Sequence, residues 1–108
     1  MKRSSKRSEE DFGQRLDGLS AVLAQLDDPA AMRAFLLDLC TPAELEAMTD
    51  RWQVVPLLEQ GIPYREIYEL TGVSVTTIGR VARTLERGAG GYAQAMALRP
   101  SLSERTSP

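Results

Sequence analysis

Residues 64–81 read Tyr64-Arg65-Glu66-Ile67-Tyr68-Glu69-Leu70-Thr71-Gly72-Val73-Ser74-Val75-Thr76-Thr77-Ile78-Gly79-Arg80-Val81. Every part of this stretch agrees with two short helices joined by a tight turn. Ile67 and Leu70 give the first helix its apolar face. Gly72 accommodates the positive φ that the turn requires, and Val73 fills the gap between the helices. Ser74 is an N-cap for a second helix running from Val75 to Arg87, anchored by Ile78 with Val81 or Ala82. The whole reads as a helix-turn-helix over about residues 64–87. It leaves Val75, Thr76, Thr77 and Arg80 on the outer, N-terminal part of the second helix. Short hydroxyl and methyl groups beside a guanidinium are the types that approach base edges and phosphates. Arg65, at the start of the first helix, is placed to meet a phosphate, although Glu69 is in range to pair with it. Tyr68 occupies a position where such hairpins usually carry a small residue, so slight splaying is expected. The competing reading is a hairpin that docks a protein partner of the transcription machinery.

Upstream of the hairpin the chain reads as helix throughout, with no alternating strand pattern. Phe12, Leu16, Leu19, Leu23 and Leu26 are spaced 4, 3, 4, 3, a seam that wants a partner helix. Asp28-Pro29 supplies a cap and a first-turn proline for a helix carrying Met32, Phe35, Leu36 and Leu39 on one face. Thr41-Pro42-Ala43-Glu44 is a capping box. It opens a long helix, with Leu45, Met48, Trp52, Val55 and Leu58 expected inward and Gly61 at its end. Pro56 removes one hydrogen bond inside that helix and predicts a kink. Tyr92 to Leu98 completes a set of six helices. The expected organisation is a basic disordered arm at 1–8, one all-helical domain at 9–98 and a disordered tail at 99–108.

The chain has 108 residues, 13 Lys+Arg against 15 Asp+Glu, one cysteine and no histidine. A single domain fits that length. Missing histidine removes the commonest general base and metal ligand, and one cysteine forms neither an internal disulfide nor a zinc knuckle. No constellation for catalysis or metal binding emerges, so the chain reads as a binder rather than an enzyme. Cys40 follows an apolar stripe and reads as a small buried hydrophobe. No apolar run is long enough to span a membrane, and a cytoplasmic protein is expected. The net charge of −2 conceals segregation: residues 9–50 carry ten acids against Arg15 and Arg33 alone. Tyr64 to Arg87 carries four arginines against three glutamates, and the arm holds Lys2, Arg3, Lys6 and Arg7. Such asymmetry points to a polyanion on one face only.

The residues Leu39-Cys40-Thr41-Pro42-Ala43-Glu44-Leu45-Glu46-Ala47-Met48, Arg51, Leu57-Leu58-Glu59-Gln60-Gly61, Tyr64-Arg65-Glu66-Ile67 and Thr77-Ile78-Gly79-Arg80 resemble the Trp repressor family. The Tyr64–Ile67 stretch and Gly90-Gly91-Tyr92 look more like its short bacterial relatives than like the repressor itself. The resemblance implies an all-α, six-helix chain in an intertwined homodimer. It also implies double-stranded operator DNA as partner, read by one helix-turn-helix per half-site of a palindrome. In that family a corepressor sits between arginines and hydroxyls, and Thr41, Arg51, Arg80 and Thr84 occupy the matching places. Arg51 and Arg80 have no acid three or four residues away on their own helices, which suits a carboxylate or phosphate ligand. The resemblance therefore implies L-tryptophan or another small carboxylate as effector. A plainer reading has no effector: Thr41 is a cap, Arg80 touches phosphate, and Thr84 bonds its own helix. Val81 stands where the repressor has a glycine that leaves room for the indole. Its side chain either intrudes there or turns into the core. The second helix also offers Arg83, which Glu86 is in range to pair.

Overall fold

The structure, a computed structural model, describes residues 8–98; the first seven residues of the expected arm at 1–8 and the expected tail at 99–108 lie outside the described residues. Six helices follow one another: α1 (Glu9–Gln25), α2 (Pro29–Leu39), α3 (Pro42–Glu59), α4 (Tyr64–Thr71), α5 (Val75–Arg87) and α6 (Gly91–Met96). No strand occurs among the described residues. None of these helices is long and apolar enough to cross a membrane. The chain divides into two compact units, one ending at Pro42 and one starting at Ala43.

The first unit holds α1 and α2. Ser8, which the sequence places in the arm, caps α1 by accepting from the Asp11 N–H at 3.1 Å. Asp28 caps α2 by accepting from the Ala31 N–H at 3.0 Å, and Pro29 follows as the first helical residue. Both caps satisfy N–H groups that the first turn leaves without partners. Neither helix buries a residue completely. On the α1 seam Phe12 and Leu16 are 55% and 47% exposed, while Leu19, Leu23 and Leu26 are half-buried. The N-terminal part of its apolar stripe, at Phe12 and Leu16, stays open in the single chain. Cys40 is half-buried rather than buried.

The second unit contains the core. Val54, Val55, Ile67, Val73, Ile78 and Val81 form its buried cluster, flanked by half-buried Leu57, Leu58, Ile62, Leu85, Tyr92 and Met96. α3 runs through Pro56 as one helix. Two of its expected inward residues are corrected here: Met48 and Trp52 are 39% and 37% exposed. Core contact comes from the C-terminal half of α3, through the adjacent Val54 and Val55. Trp52 instead stacks on Tyr92 of α6, with ring centroids 6.4 Å apart.

The α4–α5 turn closes by a set of short bonds. Gly72 has φ 79° and its N–H donates to the Tyr68 carbonyl at 2.7 Å. An L-residue with a Cβ is disfavoured by roughly 1–2 kcal/mol in that region. The Thr71 hydroxyl donates to the Ile67 carbonyl at 2.7 Å and accepts from the Val73 N–H at 3.0 Å. Val73 is thereby held in the gap between the helices, where it is buried. Ser74 caps α5, accepting from the Thr77 N–H at 3.2 Å. Ser74→Ala is expected to cost about 1 kcal/mol and Ser74→Gly only a few tenths, read as the shift in urea midpoint at constant slope.

Leu70 departs from its expected role. It is 62% exposed, and Ile67 alone anchors α4 in the core. Tyr68, 47% exposed, stands at the surface rather than between the helices.

Candidate nucleic-acid interface

α5 is two-faced, and that partition builds the site. Ile78 and Val81 are buried, with Ala82 and Leu85 half-buried, all on the side toward α3 and α4. The spacing 78, 81, 82, 85 is one stripe of a helix, so residues 76, 80, 83, 84 and 87 turn outward. Val75 is 52% exposed, and Thr76 and Arg80 are exposed as well. Thr77 is half-buried. Its hydroxyl accepts from the Ser74 hydroxyl at 3.1 Å, which ties it into the cap. Of the short side chains at this end, Val75 and Thr76 stand freest. They lie at the helix N-terminus, where the backbone dipole favours an approaching anion.

Arg65 begins α4, and its Nε lies 3.6 Å from a Glu69 carboxylate oxygen. Both side chains are more than half exposed, so the pair is screened and adds little stability. The guanidinium is consequently available to a phosphate at small cost.

Further along α5, Arg80, Arg83, Thr84, Arg87 and Gly88 line a cleft of about 350 Å³. Two of the four residues matched to the family's effector site, Arg80 and Thr84, thus share one surface. Arg51 is exposed on α3 and is not among the cleft's lining residues; Thr41 precedes α3 at the end of the first unit. The Val81 side chain takes the core, at 1% exposed, and leaves the cleft to its neighbours.

The expected pair between Arg83 and Glu86 does not form. Ion pairs among the described residues include Arg15 with Asp11 and Arg65 with Glu69. Glu86 instead lines a separate cleft of about 440 Å³ with Leu58, Glu59, Ala82, Leu85 and Ala93. Three residues from Arg83 it is within reach on the helix, yet the two side chains turn into different clefts. Thr84 is likewise not bonded through its hydroxyl to its own helix; only its carbonyl is used, by the Gly88 N–H at 2.7 Å. Arg87 is a lining residue that the sequence did not single out. Its signal was the 80, 83, 84, 87 spacing, complementary to the core stripe.

No group of three or more His, Cys, Asp or Glu side chains among the described residues is arranged to hold a metal ion. A family described as Trp repressor protein matches residues 14–99, which takes in most of α1 and all five later helices. The chain is also 36% identical over 84 residues to the uncharacterized protein YerC of Bacillus subtilis (strain 168), an overlap of 78% of this chain and 81% of that one. The six-helix order and these two matches agree, and the chain belongs to the Trp repressor protein family.

Proposed function

We propose that the chain is a homodimeric, sequence-specific DNA-binding regulator of transcription, most simply a repressor that occludes a promoter. The observation that carries this reading is the α4–α5 hairpin. Its Gly72 turn and its Ile67, Val73 and Ile78 packing hold α5 so that Val75, Thr76 and Arg80 are presented outward. This is a helix-turn-helix, and α5 is its reading helix. Val75 and Thr76 approach base edges, Thr77 supports them through the cap, and Arg80 and Arg65 position the protein on phosphate. Family membership supports the same conclusion.

A second copy is the natural cover for the α1 seam, since Phe12 and Leu16 are about half exposed in the single chain. Burying such residues is worth roughly 1.5–3 kcal/mol each. A two-fold dimer carries two reading helices and prefers a palindrome with half-sites one DNA turn apart. A small anionic effector such as tryptophan acts at Arg80 and Thr84, with Thr41 and Arg51 as the further residues matched to that role. The regulator works in the cytoplasm, beside its DNA.

Selection of bound DNA from a random pool, with and without tryptophan, tests each part. The expected product is a palindrome with half-site centres ~34–36 Å apart. A single ungapped half-site would remove the dimer from the reading. Enrichment independent of tryptophan would remove that effector. No enrichment in either arm would leave the hairpin as a protein-docking module.

A further inference from the structure

The outer face of α5 continues past Val75 and Thr76 into a surface of which the proposed DNA reading uses only Arg80. Arg83 and Arg87 share the cleft with Arg80, Thr84 and Gly88. Three guanidiniums at the 80, 83, 87 spacing lie on one helix face, and none takes part in an ion pair among the described residues. Like charges on adjacent turns oppose one another and weaken an isolated helix. A bound anion would relieve that repulsion. The acid closest in sequence, Glu86, faces the other cleft. The Thr84 hydroxyl adds a neutral donor on the same surface.

Gly88 closes the cleft's end, and its lack of a side chain is structural. A Cβ there would stand 2.6 Å from the Thr84 carbonyl oxygen and 2.8 Å from Thr84 Cγ2. The chain therefore turns away tightly against Thr84 at the end of the arginine face.

We infer that this cleft binds a soluble phosphate-bearing ligand through Arg83 and Arg87, with Arg80 and Thr84 at its other end. Multiple guanidinium donors around one recess suit the several oxygens of adjoining phosphate groups better than the two of a single carboxylate. The position along α5 sets the Arg87 end of this site back from the DNA groove. With the helix entering by its N-terminal end, Arg87 lies 12 residues behind Val75, about 18 Å back along the axis. The major groove is only ~8.5 Å deep. Arg80, near the middle of the helix, belongs to both surfaces, so a ligand in the cleft bears directly on DNA contact. The coupling rests on the DNA-reading proposal; the binding site itself does not.

Calorimetric titration of the full chain with inorganic pyrophosphate, at ~0.15 M salt and without DNA, tests the site. The variants are Arg83→Gln/Arg87→Gln and, as a charge-matched control in the first unit, Arg15→Gln/Arg33→Gln. Far-UV circular dichroism confirms that each is folded. The expected result is saturable binding by the parent and the control, weakened at least about tenfold in the cleft variant. No binding by the parent, or equal weakening by both variants, overturns the inference. In that event, a selected DNA sequence whose binding loses salt dependence only in the cleft variant assigns the arginines to the DNA backbone instead. Failure of DNA selection with pyrophosphate binding intact would discard the regulator reading and keep the site.

Discussion

Ile78→Ala is expected to lower the unfolding free energy by about 3 kcal/mol, while Leu70→Ala changes it by less than about 0.5 kcal/mol. The two residues sit eight positions apart in one hairpin, and a hydropathy profile treats them alike. Ile78 is fully buried among Val54, Val55, Ile67, Val73 and Val81. Truncation there removes apolar contact and leaves a void that five β-branched neighbours refill poorly, because their χ1 angles are stiff. Leu70 is 62% exposed, so little is lost with its side chain. Ile78→Val, which deletes a single methylene, should cost about 1 kcal/mol. A small domain has roughly 5–15 kcal/mol to lose, and Ile78→Ala takes a large share. Urea unfolding followed through Trp52 is a suitable measure, because the ring stacks on Tyr92 and reports on α3 against α6. Protein concentration must be held fixed, since the proposed dimer would tie stability to it. Equal costs at Ile78 and Leu70 would contradict the core described above.

Arg80→Ala is expected to weaken binding to the selected operator by about 10- to 100-fold, with no change in helix content. The side chain is exposed, so its loss leaves the core untouched. As a phosphate contact, each guanidinium should account for ~0.9 of the slope of log K against log salt, counted once per half-site. Arg80→Lys keeps the charge but not the planar fork. It should restore the salt slope while recovering only part of the affinity. Unchanged affinity together with unchanged salt dependence would remove Arg80 from the interface.

Charge distribution and fold bear on one another. Net −2 looks unfavourable for a polyanion partner until position is considered. Between residues 9 and 50, the ten acids belong to α1, α2, the turn joining them and the first half of α3, whereas α5 presents Arg80, Arg83 and Arg87 on one exposed face. On the proposed DNA reading, low overall charge would limit sequence-blind attraction and leave discrimination to a few contacts.

Local signals explain how much of the hairpin was readable beforehand. Gly72, Val73, Ser74 and the bounds of α5 follow from backbone φ, capping and spacing, which involve neighbours within four residues. The same holds for Asp28-Pro29 at α2. Burial was less readable. Met48 and Trp52 share the helical stripe of Val55, yet the core meets α3 only around Val54 and Val55. A stripe states which side of a helix is apolar; the length of it that is covered depends on the elements arriving from elsewhere in the chain.

The candidate site divides the same way. Residue types and order alone determined an all-helical chain with a hairpin whose second helix leads with Val75, Thr76 and Arg80, because helix caps and periodicity are properties of adjacent residues. Only the tertiary structure decided that Val81 turns inward, that Leu70 stays out, and that Glu86 and Arg83 occupy different clefts. Those outcomes depend on how α5 is rotated against α3 and α4. A few dozen degrees of rotation about one helix axis, set by how Ile67, Val73 and Ile78 interdigitate, decide which side chains of α5 are buried and which face a cleft.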